Sequence, residues 1–372
     1  MAHMRRRVTS IVIAVAVIAA AGIWYAPPQL PNFIKPAAVA QPATLTGPFT
    51  ATYDFLSPTL GWALVIDYSA LNTRFFIFHT VDGAARWSKQ YFGKARGDQP
   101  YLHFFDSSNG FAYAGFSYRT VDGGQHWQQI KVPGSQPYVS FANPTDGWAL
   151  TFVGGTQRIY RTSNGGRTWL DAGPAPVTPG SVLPVLKPQT STFTDGCDGW
   201  IGAAASDAPA VVFSTIDCGN TWQRMSLLSP DVQGTRYHTA VRQVPGNSYI
   251  AFVSDEAGHV LGAFQTSDWG ISWRGVPFPT RVSAPEAVSF ADPDHWWILD
   301  AGSIYTTENA GSLWTHVFGA GVPSGWQFDL GGALDPYHAW GILNLTAKPQ
   351  VAGLAMTSDG GAHWELVSAP QP

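Results

Sequence analysis

Charge is scarce in this chain. Asp, Glu, Lys and Arg make up 12% of its 372 residues, where about 25% is usual for a globular protein. Basic side chains number 21 against 25 acidic ones, for a net charge of −4. The positive excess that grips a phosphate backbone is therefore missing, and nucleic acid is excluded as a partner class. Only four glutamates occur (Glu256, Glu286, Glu308 and Glu365) and only two cysteines. No His-x-x-x-His pair, nucleotide-binding glycine loop or Ser-His-Asp phrase is present. The sequence calls for no cofactor and no metal, and the two cysteines have no histidine cluster beside them to suggest zinc.

Long apolar runs are also missing, with one exception. Arg5-Arg6-Arg7 precede an almost uninterrupted apolar stretch from Val8 to Ala26, which reads as a signal peptide or an uncleaved signal-anchor helix over residues 1–26. The positive-inside rule leaves the arginines in the cytoplasm and everything after Ala26 outside. An extracytoplasmic protein is expected, secreted or held at the membrane by this segment. Residues 27–47 are Pro- and Ala-rich with the single charge Lys35, a semi-rigid spacer.

What the chain has in abundance is Gly (39), Pro (28) and aromatic residues (13%), the composition of short strands joined by tight turns. One phrase recurs seven times: Thr, a variable residue, Asp or Asn, two Gly-rich positions, two variable residues and Trp. The copies end at Trp87, Trp127, Trp169, Trp222, Trp273, Trp314 and Trp364, at spacings of 40 to 53 residues. A fixed period of that length marks a solenoid or a propeller. In the third copy, runs at Tyr138–Ala142, Trp148–Phe152 and Arg158–Thr162 alternate with turn dipeptides, and a fourth run starts at Trp169. Each unit reads as a four-stranded antiparallel blade, and residues 48–372 as one all-β, seven-bladed propeller, because radial packing covers both faces of each sheet.

Each blade is expected to carry two large rings. One opens strand four, at the Trp that closes the phrase. The other opens strand two, where the repeat aligns Trp62, Phe111, Trp148, Trp200, Tyr249, Trp296 and Trp340. The third residue of the phrase is Asp82, Asp122, Asn164, Asp217, Asp268, Asn309 and Asp359 in turn. Its side-chain oxygen can accept backbone N–H groups of the turn, and asparagine serves where charge does not, so these positions read as structural.

The phrase resembles the Asp-box, or bacterial neuraminidase repeat, with Thr215-Ile-Asp217-Cys-Gly219-Asn-Thr221-Trp222 fitting it throughout. Blade one departs, with Ala84 and Arg86 in place of the usual residues. Together with the preceding Gly-Trp-Ala it looks like the photosystem II stability and assembly factor family. That resemblance covers residues 48–370 and implies a non-catalytic, exported, seven-bladed assembly factor. The same box also occurs in sialidases and xyloglucanases, so it speaks for fold more than for activity.

In an exported chain the pair Cys197 and Cys218 is expected to form a disulfide, the alternative being two free thiols. Gly196-Cys197 reads as an insertion that lengthens the first turn of blade four and supplies the reach. An enzyme reading finds no support: a glycosidase needs two convergent carboxylates, Glu308 and Glu365 fall in or beside box turns, and nothing in the spacing of the remaining acids marks a pair. The expected function is that of a monomeric scaffold for a protein partner or membrane complex. Arg74, Arg119, Arg158, Arg161, Arg236 and Arg242 lie on strand-like stretches and are candidates for a binding stripe, solvation of strand edges being their other and favoured role. The competing reading is a cell-surface carbohydrate binder or glycosidase, for which Trp269 and Trp297 are candidate platforms because they are extra to the two-ring pattern, core packing being their other role.

Overall fold

The computed structural model describes residues 42–372 apart from 70–72, 97–99, 177–180, 183–190, 195–196, 207–209, 228–235, 280 and 301. The expected N-terminal helix lies outside the described residues. Among the described residues no helix is long and apolar enough to cross a membrane.

The strands form seven antiparallel sheets, each built on four strands in chain order. Blade three is representative, with strands Ser135–Phe141, Gly147–Val153, Thr156–Thr162 and Leu170–Pro174. Burial follows position in the blade. The second strands Gly61–Asp67, Ser248–Ser254 and Trp296–Asp300 are buried at every residue, whereas the fourth strand Ser88–Lys94 is exposed or half-buried. A second strand is paired on both edges and covered on both faces, so it reads as a continuous apolar run such as Trp62-Ala-Leu-Val-Ile66. Seven apolar clusters lie between successive blades, and the one joining Trp340 and Ile342 of blade seven to Tyr53 and Phe55 of blade one closes the ring.

Both chain ends take part in that closure. The strand Leu45–Thr46 pairs with Ala352 and Val351, and Glu365–Val367 pairs with Met356 to Leu354 of the same third strand. The outer edge of blade seven is thus assembled from two ends of the chain. The propeller takes in Leu45, three residues before the boundary that the repeat alone suggests. Ala204–Ser206, which prolongs the second strand of blade four, pairs with Arg236–His238 of blade five, and Ser181–Val182 adds to it. Blade five therefore sits in a six-stranded sheet.

Strand register corrects the ring alignment. In blade three, Gly147 lies opposite both Phe141 and Thr162, the first box residue. In blade six, Trp296 holds that position, opposite Phe290 and Thr307. In blade five it is Tyr249, opposite Gln243 and Thr266. The residues equivalent to Trp148 are therefore Trp297 and Ile250, so six blades rather than seven carry a ring there. In blade six Phe290 and Trp296 share that pair edge-on at 5.1 Å, whereas for blade five the reason lies one step across the ladder. A Cβ on Gly147 would come within 2.5 Å of the Phe141 ring, and one on Gly199 within 2.0 Å of Phe193. Blade five has Gln243 on strand one instead of phenylalanine, which frees the space, and Tyr249 fills it from strand two.

Candidate functional site

The seven box turns share one end of the propeller and one bonding scheme. The first residue is a buried threonine in every copy. In blade two, Thr120 Oγ1 donates to Asp122 Oδ1 at 2.9 Å and accepts the N–H groups of Asp122 at 3.3 Å and Gly124 at 2.9 Å. Asp122 Oδ1 also accepts the His126 N–H at 2.9 Å. The other six boxes repeat this arrangement with the same atoms. The fourth and fifth residues take positive φ, which costs a non-glycine residue roughly 1 kcal/mol. Four of the five described non-glycine residues at positive φ, Ala84, Cys218, Trp269 and Ala310, are in boxes.

The second carboxylate oxygen decides between Asp and Asn. In all five Asp boxes Oδ2 meets a side-chain donor four residues on: Arg86, His126, Thr221, Ser272 or His363. Asn164 instead donates its amide to Thr168 Oγ1 at 2.8 Å, and Asn309 faces Leu313, which has no polar side chain. These bonds hold the box carboxylates ionised. Asp122 is drawn down to about 2, led by the His126 backbone N–H, and Asp268 to about 2, led by the Ser272 hydroxyl. Every described carboxylate with a displaced equilibrium is displaced downward, the reverse of what a general acid requires.

Cys197 and Cys218 are joined by a disulfide, but a longer turn is not the cause. Phe193 and Gly199 are as far apart in sequence as Phe141 and Gly147 and pair in the same way, so blade four has no insertion there. Six blades link these two turns by a backbone bond at equivalent positions, among them Gly165 N–H to the Thr145 carbonyl at 2.8 Å and Gly360 N–H to Tyr337 at 3.0 Å. Cys218 N–H donates to the Cys197 carbonyl at 3.0 Å in the same place. The cysteines occupy two positions that the fold already holds together.

Trp269 and Trp297 are placed by packing. Trp297 is the regular ring of blade six, 1% exposed, edge-on to Trp364 at 6.5 Å. Trp269 is half-buried, lying parallel to Trp200 at 6.0 Å and 5.1 Å from Tyr249. The additional ring of blade six is Trp296, and it is fully buried.

The arginines do not gather into a stripe. Arg158 pairs with Asp171 at 2.8 Å, Arg119 reaches the Asn164 carbonyl, Arg161 approaches Cys197 Sγ, and Arg74 lies over Phe76. The side chain of Arg236 is outside the described residues. Arg242 belongs to a lacing around the innermost strands, in which a strand-one side chain bonds the next blade's backbone. Asp54 accepts the Phe104 N–H at 2.5 Å, Thr192 donates to the Val241 carbonyl at 2.6 Å, Arg242 donates to the carbonyls of Pro285 at 2.8 Å and Val288, and Ser289 accepts the Ala333 N–H at 2.8 Å. Each lies opposite the position equivalent to Trp148. Burial lowers the Arg242 pKa.

Apolar side chains are exposed here as well. The box end exposes Val81, Val121, Ile216, Ile271 and Leu313, with Tyr337 on the first turn of blade seven; Ile271 is 88% exposed. Reasoning from the repeat passed over these residues because they sit at its variable positions. An aliphatic residue on a solvated Thr-x-Asp turn was the available signal.

No protein-family model matches the chain, and no curated protein matches it. Among solved structures, YCF48 from Cyanidioschyzon merolae is 15% identical at a TM-score of 0.52, over 86% of this chain and 97% of that one. A structure of YCF48 bound to D1 peptide is 16% identical at 0.48, over 86% and 99%. A prolyl endopeptidase matches at 10% identity and 0.55, over 89% of this chain and 51% of its own. Glycoside hydrolase propellers also match, at TM-scores between 0.27 and 0.39. Identities this low speak for architecture alone, and in architecture the chain is a seven-bladed propeller like YCF48, the photosystem II assembly factor.

Proposed function

We propose that this protein is a non-catalytic, protein-binding scaffold or assembly factor that works outside the cytoplasm, held near the membrane by residues 1–26. One observation carries this reading: exposed aliphatic side chains stand on the box turns of five blades while the box carboxylates there are occupied in closing turns. Apolar side chains standing out from polar turns on one end of the ring suit a protein partner. The repeat phrase and the YCF48-like architecture support the same reading, and burial of Trp297 removes one of the two rings on which a sugar would stack.

Photo-crosslinking residues placed at Ile271 and Leu313 in native membranes test it. Adducts to one defined protein are expected from these sites and not from Phe92 on an outer strand. Adducts equally frequent from Phe92, or a reproducible hit on a glycan array or a chromogenic glycoside panel, would favour the carbohydrate reading.

A further inference from the structure

The disulfide has features that turn closure does not require. In five other blades the equivalent turns are held by the backbone bond alone, so opening the S–S bond leaves that link intact. Both cysteines are half-buried on the box end, short of full enclosure. A cation from the neighbouring blade is aimed at one sulfur: Arg161 Nη1 lies 3.7 Å from Cys197 Sγ. Arg161 immediately precedes the first box residue of blade three, and Arg119, at the equivalent place in blade two, reaches the next blade's Asn164 carbonyl at 3.4 Å. The fold thus delivers a side chain from this position to the following blade, and in blade three it delivers a guanidinium to a disulfide.

We infer that Cys197–Cys218 is a thiol-exchange site, with Cys218 as the sulfur attacked, Cys197 as the leaving thiolate and Arg161 as the group that stabilises it. The co-reactant is a thiolate. Its sulfur forms a bond to Cys218 Sγ as the Cys218–Cys197 bond breaks, and the bonding pair leaves on Cys197 Sγ, where the guanidinium donates to it. A second thiolate then attacks the incoming sulfur of the mixed disulfide and releases Cys218 as a thiolate. Two thiols are oxidised to one disulfide, the protein gains two electrons, and both thiolates take protons from water. A leaving group stabilised by a neighbouring cation departs faster, which sets the direction of attack.

The test uses the full chain with two separate co-reactants, reduced glutathione and a protein Cys-x-x-Cys dithiol, at one fixed pH. Mass spectrometry after a brief glutathione pulse is expected to find the adduct on Cys218. Arg161→Gln should slow exchange about threefold or more, with Arg161→Lys retaining much of the rate. An effect in one arm alone identifies the source of the thiol. Adducts on Cys197, or equal rates for wild type and Arg161→Gln in both arms, overturn the inference. A Cys197→Ser/Cys218→Ser variant that fails to fold also overturns it, because exchange needs a folded reduced state.

Discussion

Trp87 donates its indole N–H to the carbonyl of Ser368, 281 residues later, at 2.7 Å. Next to it Ala369 N–H donates to Ala43 at 2.7 Å, and Gln371 reaches the Thr44 carbonyl. Blade one, blade seven and both ends of the described chain therefore meet at one seam. Truncation after Val367 removes all three contacts and should lower the denaturant midpoint well beyond what Trp87→Phe does. The latter deletes one hydrogen bond, worth about 1 kcal/mol. Equal midpoints for truncated and intact protein would refute ring closure at this seam.

The Asp and Asn boxes should respond differently to exchange. Replacing Asp217 by Ala removes the acceptor for the Thr221 N–H and is expected to cost about 1–2 kcal/mol, as loss of a helix N-cap does. Asp217→Asn keeps that acceptor and should cost less. Asn309→Asp should add nothing, because Leu313 offers the second oxygen no donor. Chemical denaturation of the three variants checks the order.

Acid should loosen the box turns. Asp122 and Asp268 have folded-state values of about 2, below the ordinary 3.8 from which they start. A depressed folded-state value means that the stabilisation is fully present above about pH 4 and is lost as pH falls towards 2. Urea midpoints measured from pH 6 to pH 2 should fall across that window, and Asp268→Asn should flatten the decline. A variant profile parallel to wild type would count against this linkage.

Blade five allows a swap. Tyr249→Gly alone removes a buried ring and should cost about 3–5 kcal/mol. Gln243→Phe alone crowds a second ring against the buried Tyr249 and is also destabilising. The double variant recreates the Phe–Gly pair of blade three and should recover a substantial part of the combined loss. Strict additivity in the double-mutant cycle would contradict the assigned register.

Removing the disulfide should weaken the fold without undoing it. Closing a loop of about 20 residues is worth about 3 kcal/mol, so Cys197→Ser/Cys218→Ser should melt earlier in a single cooperative step while keeping the far-ultraviolet spectrum of the oxidised protein.

The chain's periodicity was enough to determine the number of blades, the strands per blade and the direction of the turns, because the repeat states the same local chemistry seven times. Thr-x-Asp closes a turn with its own side chains, and no distant residue is needed to recognise it. Register was decided only in three dimensions. Tyr249 and Trp296 look like Trp148 in the linear alignment, yet a one-residue offset sends a strand residue to the opposite face, and the offset shows only in which residues face each other across the ladder. The same applies to Arg161, whose side chain meets Cys197 of the next blade, and no spacing within one repeat encodes which side chains of different blades the ring brings together.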